Sequence, residues 1–156
     1  LPAIAHSLGS VTPCFGRGER VRIGPRELHL FLIKNPAGAN SVLEALCRKK
    51  VQDMWFIIND RIADGRDVSW LWDVDFEGFW TRNGHPARVV VSGRRALDLA
   101  VRFRYSELPE DRIRILPRIR HGLKHVAAAN QETCFVLATY TSLLELRDRL
   151  PKAVRW

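Results

Sequence analysis

The stretch MWFIINDRIADGRDVSWLWDVDFE, residues 54–77, sets five apolar residues directly before a segment with six acids, Asp60, Asp64, Asp67, Asp73, Asp75 and Glu77, and two bases, Arg61 and Arg66. The local reversal of charge is sharp, because the whole chain carries a formal net charge of +8. Clustered carboxylates repel one another, so they persist where they bind cations, orient a histidine or pair with arginines. The apolar run reads as a buried strand and residues 59–77 as the working loop that leaves it.

The flanking sequence repeats the pattern of short apolar runs and helical stretches. Glu19 to Ile23 and Glu27 to Lys34 are extended runs separated by the turn Gly24-Pro25-Arg26, and the closing residues of the second are continuously apolar. Residues 38–49 read as a helix with Val42, Leu43, Leu46 and Cys47 on one face and bases in its last turn. Beyond Trp80 the turn-rich TRNGHP leads to the strand ARVVVSG. Residues 94–105 read as a helix with Leu97, Ala100, Val101 and Arg104 spaced at three to four residues. RIRIL, 112–116, alternates like an edge strand, 118–129 is helical, and TCFVLA, 133–138, is the last strand. A helix over 141–150 closes the chain, with Thr141 or Ser142 as its N-cap. Leu1 to Ser10 reads as the end of a helix.

Strands and helices alternating with short connections predict an α/β, Rossmann-like, mainly parallel sheet with helices on both faces. In that architecture ligands meet the loops at the carboxyl ends of the strands. KNPAGAN, the acidic loop, SGRRA and TYTS are then expected along one edge.

A chain of 156 residues, 46% hydrophobic, favours a single domain with an ordinary core. No apolar run approaches the roughly 20 residues that span a bilayer, and the N-terminal segment lacks the basic leader and apolar centre of a signal peptide. The chain begins at Leu1, which points to a piece of a longer protein. Cys14, Cys47 and Cys134 form no CxxC pair, which fits a reducing, cytoplasmic compartment. Of the 25 basic residues 20 are arginines, spread over most of the length, a pattern of surface charge and carboxylate pairing and not of nucleic-acid binding.

No Walker A loop, GxSxG elbow or zinc-type cysteine cluster is present. His121 and His125 lack a third metal ligand and read as solvent-facing, and no metal site is assigned. Cys134 and Cys47 read as core residues. The acidic loop lacks EF-hand spacing, and its aromatic residues Trp70, Trp72, Phe76, Phe79 and Trp80 suit a packed segment or a partner interface.

LFLIKNPAGAN, INDRIADGRDVSWLWDVDFE, VVVSGRRALDLAVRFRY and VLATYTSLLELRDRL, in this order and spacing, resemble the C-terminal domain of the MurT family, the ligase-like subunit of lipid II isoglutaminyl synthase. The upstream TPCFGRGERV is similar to the junction by which Mur ligases pass from central to C-terminal domain. The resemblance implies a Mur-ligase C-terminal fold over 27–156, with 1–26 as the junction and tail of the central domain. It implies a complex with a GatD-type glutamine amidotransferase that amidates the D-glutamate α-carboxyl of the lipid II stem peptide. ATP with Mg2+ would activate the carboxylate as an acyl phosphate in the full-length enzyme, with no cofactor held tightly by this piece, and ammonia from glutamine would attack it. The work would be done at the inner face of the membrane.

Residue by residue, Asp67 matches the family aspartate that completes the glutaminase triad across the subunit boundary. Asp60 and Asp64 are its rivals, with holding the loop through Arg61 or Arg66 as their other role. Arg17 matches the junction arginine that faces nucleotide phosphate, and Lys34 and Asn35 occupy the nucleotide-facing segment. That loop lacks the acidic residue and later lysine of better-known ligases. Arg94 and Arg95 read either as anion contacts at a helix start or as solvated charges. The alternative to a synthase subunit is a stand-alone, non-catalytic module that binds a nucleotide or a partner.

Overall fold

The computed structural model describes residues 16–49 and 51–150. The expected helix over Leu1 to Ser10, and Cys14, lie outside the described residues. The strands are β1 (Arg17–Ile23), β2 (Arg26–Leu32), β3 (Asp53–Ile57), β4 (Arg88–Ser92), β5 (Ile113–Ile115) and β6 (Thr133–Ala138). The helices are α1 (Pro36–Leu46), α2 (Phe76–Asn83), α3 (Ala96–Tyr105), α4 (Ile119–Ala127) and α5 (Tyr140–Arg147). The sheet order is β1-β2-β6-β3-β4-β5, with all neighbours parallel except the hairpin of β1 and β2.

Period-two alternation divides the strand residues between two cores. Met54, Phe56, Val89, Val91, Phe135 and Leu137 point to the face covered by α1, α2 and α3. Trp55, Ile57, Val90, Cys134, Val136 and Ala138 point to the face covered by α4 and α5. Both faces of β3 are therefore dry, which is why its sequence is continuously apolar. The buried Trp55 indole donates from Nε1 to Ser92 Oγ at 2.9 Å, so its polar edge is satisfied in the core. Gly122 lets α4 come down on this pair, since a Cβ there would lie 2.6 Å from Ser92 Oγ and 2.7 Å from the Trp55 ring.

Three expectations are corrected. Residues 59–83 are not one loop followed by a turn: they form 3-10 turns at Ile62–Asp64 and Ser69–Asp73 and then α2. Asp75 caps α2, its Oδ1 accepting from Gly78 N at 2.9 Å, and Phe76, Phe79 and Trp80 fill the core beneath. The acids that suggested an irregular loop include the cap of a helix. On α3 the buried face is Ala96, Leu99, Ala100 and Phe103, while Leu97 and Val101 are exposed. Apolar residues surround that helix, so spacing alone admits more than one face, and the large Phe103 takes the core against Phe56 and Phe76. The N-cap of α5 is Thr139, ahead of Thr141 and Ser142, because β6 runs straight into the helix.

Smaller shifts follow the same logic. Arg48 and Lys49 lie past the C-cap Cys47 and outside the last turn of α1. Arg26, read as a turn residue, is the buried first residue of β2. Cys134 is fully enclosed, and burial pushes its thiol up to about 12, as befits a core residue. His121 is exposed, whereas His125 is half-buried, its pKa lowered by burial and then by the charges of Arg88 and Arg114.

Candidate functional site

Because β2, β6, β3, β4 and β5 run parallel, the segments that leave their carboxyl ends share one rim. Asn59, first residue after the apolar run and 2% exposed, ties three of them together. Its backbone N–H donates to Thr139 Oγ1 at 3.0 Å, and its Nδ2 donates to Thr141 Oγ1 at 3.2 Å. Its Oδ1 accepts from Arg94 N at 3.0 Å. A buried amide with both ends engaged fixes the relative heights of the loops after β3, β4 and β6. Sequence reading gave Asn59 no role, although it opens the acidic segment.

Gly93 permits the closest approach in this rim. Its φ is +93°, and a Cβ there would fall 2.2 Å from Ile58 O, so no side chain fits. Arg94 follows, donating from Nε to Asp60 Oδ1 at 2.7 Å. Arg95 Nε comes within 3.0 Å of Asp60 Oδ2 without the alignment of a hydrogen bond. Partial desolvation raises the Asp60 carboxyl, but the Arg94 hydrogen bond and the two guanidinium charges outweigh it, and the net pKa is lowered.

Asp64, the other rival, is nearly buried and caps α5 from outside that helix. It accepts from Thr141 N at 2.7 Å, from Thr141 Oγ1, and from Arg61 N at 3.1 Å. A carboxylate on the first N–H groups of a helix is favoured by the helix dipole. Asp60 and Asp64 thus do hold the loop, through Arg94, Arg95, Thr141 and the Arg61 backbone. The Arg61 guanidinium pairs instead with Glu145 at 3.9 Å.

The outer part of the segment is pinned by a residue that sequence reading left out. Arg102, on α3 and 4% exposed, donates from Nη1 and Nη2 to the two Glu77 oxygens at 2.6 and 2.8 Å. It also donates to Val74 O at 2.8 Å and Leu71 O at 3.2 Å, and lies over the rings of Trp72 and Phe76. The Arg102 hydrogen bond lowers the Glu77 pKa. An arginine in a helix looks like surface charge; only its neighbours in space reveal this use.

Asp67 stands apart from these pairings. It is exposed, and its two oxygens accept from Ser69 N at 2.8 Å and Ser69 Oγ at 2.9 Å. Those bonds, the backbone one first, lower its pKa. Among the described residues no cation lies within ion-pair distance of it. Asp67 is therefore an exposed carboxylate oriented by Ser69 and facing solvent.

Arg17, Lys34 and Asn35 lie at the other end of the rim, with β6 between them and the Asn59 network. Arg17 opens β1 opposite Phe31, close to where β2 ends, so it and the exposed Lys34 share one corner. Asn35 caps α1, its Oδ1 accepting from Gly38 N at 2.8 Å, which leaves its amide NH2 as a donor. This corner thus carries two cations, Arg17 and Lys34, and one amide donor, Asn35. Asn40 of α1 accepts from Asp75 N at 2.9 Å, joining this corner to the acidic segment. Among the described residues no three His, Cys, Asp or Glu side chains converge as a metal site.

The MurT ligase C-terminal family model matches residues 32–143. The chain is 35% identical over 137 residues to the MurT subunit of lipid II isoglutaminyl synthase (glutamine-hydrolyzing) from Streptococcus pneumoniae, covering 87% of this chain and 30% of that protein. The Staphylococcus aureus (strain COL) subunit of the same name is 34% identical over 155 residues, covering 96% of this chain and 34% of that protein. The chain thus spans about a third of the length of these curated relatives. Two solved structures share the fold. Mycobacterium tuberculosis folylpolyglutamate synthase, complexed with ADP and AMPPCP, has a TM-score of 0.61 at 19% identity, over 99% of this chain and 36% of that one. MurF from Acinetobacter baumannii has a TM-score of 0.61 at 15% identity, over 96% of this chain and 33% of that one. The family match runs from the end of β2 into α5 and takes in the whole acidic segment, and the chain belongs to the MurT ligase C-terminal family.

Proposed function

We propose that this chain is the C-terminal domain of the MurT-type subunit of a glutamine-hydrolysing lipid II isoglutaminyl synthase. It acts with a GatD-type amidotransferase in the ATP-dependent amidation of the D-glutamate α-carboxyl of the stem peptide. Residues 1–26 serve as the junction from a central ligase domain, and 27–156 as the C-terminal domain. The work is done in the cytoplasm, at the inner face of the membrane that carries the lipid substrate; among the described residues no helix is long and apolar enough to cross it.

The observation that carries this reading is Asp67. In a cysteine glutaminase a histidine takes the thiol proton, and a third group holds the imidazole in the right tautomer and stabilises its charged form. Asp67 has the properties that role needs: it is ionised, aimed by Ser69 and exposed to a partner. Asp60 and Asp64 have their oxygens committed within the chain. The partner would supply cysteine and histidine, and this chain the orienting carboxylate.

ATP bound by the whole enzyme supplies the phosphoryl group that activates the substrate carboxylate. Arg17 and Lys34 would add positive charge near its phosphates, and Asn35 an amide donor, while Mg2+ would be held elsewhere. These are peripheral contacts, so the isolated chain is expected to hold no nucleotide tightly and to be catalytically silent. Both relatives are named as synthase subunits, which favours this reading over a stand-alone binding module.

The test is glutaminase turnover of the whole complex. Asp67→Asn keeps size and exposure but removes the charge, and is expected to lower turnover roughly a hundredfold or more while association with the amidotransferase persists. An unchanged rate would remove Asp67 from the chemistry. Titration of the 156-residue chain into the amidotransferase subunit examines the interface separately.

A further inference from the structure

One concavity of the rim has a lining that does not include Asp67. It is an open cleft of about 550 Å3 lined by Asn59, Gly93, Arg94, Pro117, Arg118, Ile119, Arg120, Glu145 and Arg149. Its position follows from topology: β4 passes into α3 on one face of the sheet, whereas its neighbour β5 passes into α4 on the other. Segments that part in opposite directions from adjacent parallel strands leave a crevice at their carboxyl ends, where α/β proteins take ligands.

The lining is strongly cationic, with four arginines and one acid. Arg149 is anchored, its Nη2 lying 3.3 Å from Glu145 Oε1 and its Nη1 donating to Glu145 O at 2.7 Å. Arg94 is steadied by Asp60 at its Nε. The Arg118 and Arg120 guanidinium groups make no ion pair or hydrogen bond among the described residues, in a chain where arginines elsewhere pair with carboxylates repeatedly. They flank the start of α4, whose first N–H groups have no intrahelical acceptor. Pro117, Ile119 and Gly93 add apolar surface beside the charges, and the volume exceeds what one phosphate fills.

We propose that this cleft binds the diphosphate group of an organic diphosphate, with Arg118 and Arg120 as principal contacts, Arg94 and Arg149 closing the sides, and the apolar lining taking the first atoms of the organic body. Guanidinium forks match phosphate oxygens in geometry and charge. The inference needs neither the glutaminase assignment nor the amidation reading. The diphosphate could belong to a nucleotide or to a polyprenyl carrier, since the recognised chemistry is shared.

The test is calorimetric titration of inorganic pyrophosphate into the full 156-residue chain at constant ionic strength, followed by competition with ADP and with farnesyl diphosphate. Saturable one-to-one binding is expected, together with shifts of the Gly93, Ile119 and Arg120 amide resonances. Arg118→Gln/Arg120→Gln should weaken binding at least tenfold, while Arg22→Gln/Arg48→Gln, with the same charge change on exposed residues outside the cleft, should leave it unchanged. Displacement by ADP assigns a nucleotide source, and displacement by farnesyl diphosphate a polyprenyl one. Absence of saturation, equal weakening by both double variants, or pyrophosphate binding that neither organic diphosphate displaces, meaning an adventitious ion only, would overturn the proposal.

Discussion

The two ends of the sheet use the same side chains in opposite ways. At the amino ends of the parallel strands, β2, β3 and β4 begin with Arg26, Asp53 and Arg88, which meet as a charged group in which Arg26 and Asp53 are shut off from water and Arg88 is partly exposed. Arg26 is 1% exposed and Asp53 3%, and Arg26 Nη2 lies 2.5 Å from Asp53 Oδ2. Arg88 Nε donates to Asp53 Oδ1 at 2.9 Å, and Arg26 also reaches the carbonyls of Val126 and Thr133. At the carboxyl ends, Asp67 lies in solvent with only Ser69 for company. Asp53 is locked into the fold, and Asp67 is held in position but left available. Burial and partners, not residue type, separate a carboxylate built into the fold from one that faces solvent.

Asp53→Ala attacks the enclosed end and carries the largest expected effect. It leaves the buried Arg26 guanidinium, and the partly exposed one of Arg88, without their counter-charge, and should destabilise the fold by about 3–5 kcal/mol. Urea unfolding followed by circular dichroism measures this, and a loss below about 1 kcal/mol would mean that water reaches the group. Next comes Arg102→Met, which keeps the apolar stem but removes the bonds to Glu77, Val74 O and Leu71 O. We expect about 2–3 kcal/mol of destabilisation, and a change in Trp72 emission would show that the outer segment has loosened.

The acid limb of stability sharpens the comparison further. Glu77 has a folded pKa below its ordinary value of 4.5, the Arg102 hydrogen bond being the main cause. Its contribution is complete above that ordinary value and is lost as pH falls through the lower folded one, because the unfolded chain takes up the proton first. Glu77→Gln should flatten stability against pH below about 4.5; an unchanged acid limb would show that the bond adds nothing in solution. The smallest effect belongs to Asp67→Asn, which should shift unfolding by less than about 0.5 kcal/mol. A larger loss would make Asp67 a structural residue and break the contrast between the two ends.

Much of the fold was legible because it rests on local pattern. Five-residue apolar runs, period-two alternation and the Gly-Pro turn before β2 announce buried parallel strands and one hairpin. The gathering of four loops on one rim then follows from topology. Residues 59–83 were harder: a 3-10 turn leaves little periodicity, and Asp75 as a helix cap looks like one more acid of a loop. The face of α3 was misread because apolar residues surround it, and only the partners Phe56 and Phe76 decide which side is inside.

For the site, the sequence by itself singled out the acidic segment, because six acids in 19 residues of a basic chain need a physical reason to stay together. It also carried the family resemblance that marks Asp67. What it left undecided is which acids are free. Asp60 meets Arg94, Asp64 meets Thr141, Glu77 meets Arg102, and Asp53 meets Arg26 and Arg88, across separations of 25 to 77 residues. A charge pattern in one dimension lists the possible partners, but only the packed sheet and helices set their distances and exclude water, and these fix whether a carboxylate is spent on the fold or left for a ligand or partner.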